Sequence, residues 1–358
     1  MRQLYNRQNS ALSLWLLAMC LAVIVMIFIG GLTRLTESGL SITEWNPVSG
    51  ALPPQNGAEW GQEFEKYKKS PEYLQHNMGM SISEFKSIYM LEFVHRLAGR
   101  FTGLLYLLPL MIFWLMGSIN KRDSGTYLFI LFLLALQGAM GWYMVKSGLV
   151  ADPCVCHYRL AAHLMLAVFM YILLFWQLMR NSFDILLIPG LAPGGVPGEA
   201  LGVVSLCRQK FWCTLSIFLL LIQIMLGAFV AGLDAGLVYN SFPLMGEGVI
   251  PHEVSLSSVN LASFSEPVFI QFIHRMMAYM LFFVVCIFCF VGARLRHPKF
   301  TRSIVCVFAA LSLQMIAGVV TLLYSVPIPV ALLHQLGAII LLSFLLWAYF
   351  LLKSTESE

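Results

Sequence analysis

Polar and apolar positions divide the chain into eight long apolar runs, at about 12–32, 88–116, 127–145, 157–179, 211–231, 269–293, 303–324 and 330–352. Each is close to or above the roughly 20 residues a helix needs to cross about 30 Å of hydrocarbon. The pattern predicts an all-α polytopic membrane protein with eight transmembrane helices. Composition agrees: of 358 residues, 59% are hydrophobic and 11% charged. The mean hydropathy of +0.79 lies outside the range of soluble domains. The opening "MRQLYNRQNS" is short and polar, without transit-peptide character, and no small-residue cleavage site follows the first run. Residues 12–32 are therefore read as a retained span.

Charge fixes the orientation. Arg2 and Arg7, Lys121 and Arg122, Arg180, Arg208 and Lys210, then Arg294, Arg296, Lys299, Arg302 and Lys353 all fall on one side of the eight-span arrangement. Short cytoplasmic loops keep the positive excess, so both termini are expected in the cytoplasm. The net charge of +4 is thus a topology signal and implies no nucleic-acid partner. The opposite side has two long loops, 33–87 and 232–268, and the first holds most of the acidic side chains.

The chain repeats itself. "EFVHR" (92–96) is answered by "QFIHR" (271–275), and "LQGAMG" (136–141) by "LQMIAG" (313–318), with "IQIMLG" (222–227) as a third variant. "GLSITEWNP" (39–47) is loosely answered by "GLVYNSFP" (236–243). These matches place helices one to four over helices five to eight, and predict two pseudo-symmetric four-helix bundles related by an axis along the membrane normal. The expected division is 1–180, a cytoplasmic linker 181–210 centred on "PGLAPGGVPG" (189–198), and 211–358.

Four of the eight histidines, His95, His163, His274 and His334, lie in apolar runs. All are on even-numbered helices, four to seven residues from the predicted start, or about 6–10 Å below the outer boundary at 1.5 Å per residue. A single intramembrane histidine often only hydrogen-bonds a neighbouring helix. Four at one depth, two per repeat, point to function. Imidazole suits transition metals, and facing pairs ligate haem iron axially. A di-iron carboxylate site would need more carboxylates in the spans than Glu92. His95 with His163, and His274 with His334, would therefore make two haem-sized sites.

Arg96 and Arg275 directly follow two of these histidines, Arg159 opens the fourth helix and Arg34 closes the first. A guanidinium can pair a haem propionate. Snorkelling to the interface is the alternative, and it accounts fully for Arg34 and Arg159. Glu92 shares a helical face with His95, and its counterpart is Gln271, of similar shape but not titratable. One catalytic and one cofactor site would produce that difference; a simply solvated Glu92 is the other reading. The glycines at 30–31, 138, 141, 227 and 232 let helices approach closely or leave room for a flat macrocycle. Trp45 and Glu44 are an interfacial pair or part of a lid.

"GGLTRLTESGLSITEWNPVSGALPP" (30–54), EFVHR, "YRLAAH" (158–163), QFIHR and "HQLGA" (334–338) together resemble the haem A synthase family, in its proteobacterial and mitochondrial branch, across all eight helices. The resemblance implies oxidation of the C8 methyl of haem O to a formyl, through a hydroxymethyl and a geminal diol, giving haem A for terminal oxidases. It assigns a haem b cofactor to His274 and His334, the substrate haem to His95 and His163, and the essential glutamate to Glu92. It further implies a bacterial inner-membrane location rather than a mitochondrial one. A ferredoxin or quinone redox partner, contact with haem O synthase, homo-oligomers and a lipid-open groove for the substrate's tail also follow from it. Some relatives carry a cysteine pair in the first outer loop; here 33–87 has none, and "CVCH" (154–157) stands before the fourth helix instead, as incidental thiols or a redox pair. Cys20, Cys207, Cys213, Cys286, Cys289 and Cys306 read as small packing residues. The rival reading is a diheme b-type quinol or electron-transfer protein, in which Glu92 and Gln271 would be interchangeable. A transporter would place its polar groups nearer the midplane.

Overall fold

The computed structural model describes residues 2–45, 49–148, 156–182, 199–295 and 298–353. Its helices are α1 (Arg2–Leu35), α2 (Gly57–Tyr67), α3 (Pro71–Gln75), α4 (Ile82–Leu115), α5 (Lys121–Gly148), α6 (His157–Ser182), α7 (Glu199–Gly232), α8 (Pro267–Gly292), α9 (Pro298–Leu323) and α10 (Ile328–Lys353). α1 and α4 to α10 supply eight spans long and apolar enough to cross a membrane, so the protein is an all-α, multi-pass membrane protein. Each predicted run falls on one of these helices to within a residue. Pro189–Gly198 and Cys154 lie outside the described residues, and α7 begins at Glu199, inside the segment expected to be linker.

Several helices run past their apolar stretch, and at α4 the cause is local. Ser81 Oγ accepts from the Glu84 amide at 3.3 Å, and Glu84 Oε2 accepts from the Ser81 amide at 2.8 Å, a reciprocal cap that starts the helix at Ile82. His163, His274 and His334 lie six or seven residues from the helix start, within the expected four to seven. His95 does not, because the first turns of α4 precede its apolar run.

Those turns carry a folded outer cap. Asn56 and Ser70 accept from Glu59 and Tyr73 amides and so begin α2 and α3. α2 then turns Phe64 and Tyr67 inward, against Phe85, Tyr89 and Phe93 of α4 and Ile42 of the preceding chain. Phe85 lies 5.0 Å from the Phe64 ring and 5.1 Å from Tyr67, centroid to centroid, and both Phe85 and Tyr67 are fully buried. Burying each ring contributes about 1.5–3 kcal/mol, enough to order an acidic loop that has no disulfide.

The spans and cap group into two compact units, Ala18–Tyr171 and Ile172–Glu358 with the N-terminal residues to Leu17. In the first, Tyr106 of α4 donates to the Tyr127 carbonyl of α5 at 2.7 Å. In the second, Gln209 of α7 donates to the Phe288 carbonyl of α8 at 2.9 Å, and Cys213 of α7 contacts the Leu345 carbonyl of α10. The six helix cysteines are all free thiols, as is Cys156, and five of the six are at least partly buried, Cys207 being exposed.

Phe85→Ala is expected to cost the cap about 3–5 kcal/mol. Hydrogen exchange should then accelerate in α2 and α3 while the spans stay protected; unchanged exchange in the cap would show that the ring cluster is not what orders it.

Candidate functional site

In the Ala18–Tyr171 unit the centre is Glu92, 2% exposed on α4. Its Oε2 accepts from Ser41 Oγ at 2.7 Å and from the Ile42 amide at 2.8 Å. Its Oε1 accepts from Arg96 Nε at 2.9 Å and from Arg96 Nη2. Arg96 lies one turn below Glu92 and also reaches outward, donating to the Ile42 carbonyl at 2.9 Å through Nη2 and to the Glu44 carbonyl at 2.9 Å through Nη1. Trp45 packs against this guanidinium, 5.3 Å from ring centroid to Cζ. The chain between Ser41 and Trp45 is thus strapped to α4 just above His95.

The second unit repeats the two arginine-to-carbonyl bonds of the strap. Arg275 Nη2 donates to the Tyr239 carbonyl at 2.7 Å, and Nη1 donates to the Ser241 carbonyl at 2.8 Å and the Leu244 carbonyl at 3.3 Å. Aligning Gly39 with Gly236 puts Ile42 on Tyr239 and Glu44 on Ser241, so the loose nonapeptide repeat marks the carbonyls that the arginine holds. One bond reverses. Gln271, 3% exposed, donates its Nε2 to the Tyr239 carbonyl at 3.0 Å, whereas Glu92 receives the Ile42 amide. Ser41, which donates to Glu92, has Val238 as its counterpart. A carboxylate only accepts and an amide nitrogen donates, so each loop presents the backbone group its partner needs.

Below the straps sit the histidine pairs, His95 and His163 in one unit and His274 and His334 in the other, each pair within electrostatic range of its mate. A glutamine and a glycine one turn apart on the preceding helix flank three of the four rings. Gln137 Nε2 lies 3.3 Å from His163 Nε2, and Gln223 Nε2 lies 3.2 Å from His274 Nε2. Gln314 donates to the His334 backbone carbonyl at 2.9 Å. A methyl added at Gly141, Gly227 or Gly318 would stand 3.4, 3.4 or 2.8 Å from the Cε1 of the same histidine. At His95 the glycine is kept, since Gly30 faces its Nε2, but Met26 stands where the glutamine would be. Gly138 meets nothing within 4 Å and has no such role.

These residues fit a haem in each unit. Among the described residues no three His, Cys, Asp or Glu side chains converge on a metal, so a protein-only cage is not built here. Around the histidines, however, His163 Nδ1, His274 Nδ1, the Oε1 atoms of Gln137, Gln223, Gln271 and Gln314, and Arg275 Nε are buried without a hydrogen-bond partner. Each such atom costs about 1–3 kcal/mol unless something satisfies it, and flat space is kept beside the rings by glycines. Of the four arginines named from sequence, Arg96 is occupied by Glu92 and the loop, while Arg275 holds its loop and keeps one buried donor, Nε. Arg159 stacks on Tyr143 at 4.6 Å, and Arg34 lies in the last turn of α1. Sequence reading missed the glutamines, although the L-Q-x-x-x-G repeat was their signal, and missed Ser41 altogether.

Comparison with known proteins agrees with this arrangement. Residues 13–346 match the COX15-CtaA family model, described as cytochrome oxidase assembly protein. The "Heme A synthase" of Rickettsia felis (strain ATCC VR-1525 / URRWXCal2) is 50% identical over 348 residues, covering 97% of this chain and 100% of the relative. That of Rickettsia akari (strain Hartford) is 49% identical over 348 residues, with 97% and 100% covered, and that of Rickettsia bellii (strain RML369-C) 49% over 344, with 96% and 99%. With eight spans, two strapped histidine pairs and a family match that runs nearly from end to end, the chain belongs to the COX15-CtaA family of cytochrome oxidase assembly proteins.

Proposed function

We infer that the chain is a membrane oxidoreductase that converts haem O to haem A, taking the C8 methyl to a formyl group for use in terminal oxidases. The observation that carries the reading is the exchange of Glu92 for Gln271 inside straps in which the arginine holds the same two loop carbonyls. A protein that only passes electrons between two equivalent haems has no use for it. The two side chains are not interchangeable, because one accepts and the other donates.

The division of labour follows. His274 and His334 hold a haem b cofactor, with Arg275 Nε as the donor for a propionate. When bound, that haem supplies one-electron redox chemistry. His95 and His163 receive the substrate haem, and Arg34 and Arg159 are the propionate partners on that side. The Gln137 and Gln223 amides, and the Gln314 backbone carbonyl 3.2 Å from His334 Nδ1, set the ring orientation of their histidines, since the group bonded to an imidazole fixes its tautomer and rotation. Glu92 accepts the proton given up as the substrate's C–H bonds are replaced by C–O, or stabilises the positive charge that develops there. Arg96 and Ser41 hold its carboxylate in place, and the strapped loop with Trp45 keeps bulk water from the reacting carbon. Lys and Arg at the helix ends around the α4–α5, α6–α7 and α8–α9 connections favour both termini in the cytoplasm, with both sites toward the outer face of a bacterial inner membrane. A ferredoxin or quinone redox partner, docking with haem O synthase and self-association complete the reading.

Haems extracted from protein purified with a supply of haem O should chromatograph as haem b together with haem O or A; haem b alone under every condition would sink the synthase reading. Glu92→Gln should retain haem b and lower haem A formation about 100-fold or more, the scale of a lost acid–base group. A parental rate in that variant would remove Glu92 from the chemistry. Gly318→Ala should lower the haem b content, read from the pyridine haemochrome, because its methyl would crowd His334; Gly141→Ala should leave haem b in place and weaken only substrate turnover.

A further inference from the structure

The repeat departs from itself at a coupled pair of positions beside His95. A methyl added at Gly30 of α1 would stand 3.6 Å from His95 Nε2 on α4. One turn further along both helices, a methyl added at Gly99 would stand 3.7 Å from Met26 Cε, so Met26 and Gly99 form the next rung of the same contact. The other three histidines have a glutamine one turn before the facing glycine and an alanine one turn after themselves. These are Gln137 and Ala167 for His163, Gln223 and Ala278 for His274, and Gln314 and Ala338 for His334. At His95 both have changed, to Met26 and Gly99.

The change alters how the ring is held. Gln137 Nε2 and Gln223 Nε2 lie 3.3 and 3.2 Å from Nε2 of their histidines, and His334 Nδ1 lies 3.2 Å from the Gln314 carbonyl. Among the described residues no hydrogen bond reaches the His95 ring. A thioether has no donor and accepts only weakly, and an unbranched methionine next to a bare glycine can move aside. The helix itself is held, because Arg96 straps α4 to the Ile42 and Glu44 carbonyls. At His95, therefore, the backbone is fixed and the imidazole is not.

We propose that Met26 and Gly99 are positioning residues that make His95 the releasable ligand of its pair, the ring that lets go when a substrate haem enters or a product haem leaves, while His163 stays bound. The proposal rests on the reading of His95 and His163 as the substrate-haem ligands. When the iron–imidazole bond breaks, its electron pair returns to His95, and no proton or electron is transferred. A site that must exchange its haem at every turnover needs one weakly held ligand, and a site that keeps its haem needs none. His274 and His334 each have a hydrogen-bond partner on the ring, which fits the site that keeps its haem. The group bonded to a ligating imidazole changes metal affinity by about 10–100-fold, enough to separate a haem that exchanges from one that stays.

The test uses the full-length protein loaded with haem b and haem O, reduced, and mixed either with apomyoglobin as a haem acceptor or with carbon monoxide. Carbon monoxide needs an open axial position, so its binding rate reports how often a ligand leaves. In the parent, haem O should pass to apomyoglobin and bind carbon monoxide while haem b does neither. Met26→Gln combined with Gly99→Ala should slow both processes about 10–100-fold, and Met26→Leu, which also lacks a donor, should match the parent. His95→Ala should keep more haem O than His163→Ala. Parental rates in the double variant, equal slowing in Met26→Leu, or better retention in His163→Ala overturns the proposal and leaves the synthase reading standing. A parent that takes up no haem O overturns the reading of His95 and His163 as substrate ligands, and this inference with it. Should the double variant fail to fold, Gln223→Met combined with Ala278→Gly is the mirror test: haem b should then leak to apomyoglobin and bind carbon monoxide, and parental retention overturns the proposal by itself.

Discussion

The structure depends on an arginine that follows a histidine on the same helix and reaches up to hold the carbonyls of the chain above it. Backbone groups near the hydrocarbon boundary must find partners inside the protein, because water there is scarce and an unmet carbonyl is costly. A guanidinium offers five donors in a fixed fork, and Arg96 and Arg275 each direct theirs to two or three carbonyls of one loop. The helix that carries the histidine is thereby locked to the roof above it, and the height of the ring beneath the roof is fixed. The residue one turn above the arginine completes the lock. With Glu92 it closes an ion pair within the same strap, and with Gln271 an amide adds to the same carbonyl.

Histidine placement follows a second rule, written on the neighbouring helix. A glutamine and a glycine four residues apart face the same way, so the amide meets the ring or its backbone while the glycine lets the helix come close to its edge. This holds at His163, His274 and His334. His95 has only the glycine, with Met26 in place of the amide. Departures from the repeat therefore gather in one unit: a carboxylate for an amide at 92, a serine hydroxyl for a valine at 41, and a thioether for a glutamine at 26. All three change the polar chemistry around α4, and none changes the backbone it shares with its counterpart.

The first outer loop adds what the second lacks. Its acidic side chains are not uniformly solvated, for Glu72 is buried while Glu59 and Glu84 close helix caps. The ring cluster that orders α2 also takes in Ile42, whose amide bonds Glu92, so the cap and the strap share a residue. Trp45, at the edge of the strap, packs on the arginine that holds the loop.

The number of spans and their limits, the repeat, the histidine pairs and the Glu92 to Gln271 exchange were legible in the chain. They rest on local or periodic signals: apolar length, side-chain spacing along one helix, and recurrence of short words. The spacing of the histidine from its helix start held for three helices and lengthened on α4, where a capping box and a ring cluster extend the helix beyond its apolar run. What tertiary structure decided is which polar groups meet. From sequence, Arg96 was equally a propionate donor, and only its contact with residues about fifty positions earlier turned it toward Glu92 and the loop. Gln137, Gln223 and Gln314 looked like words in a repeat until the helices packed and brought them to the rings. Glu72 looked like one acidic residue of an acidic loop, and burial made it different. Such pairings depend on distance in space, which the order of residues does not carry, whereas the need for each group to be paired was set by the membrane from the outset.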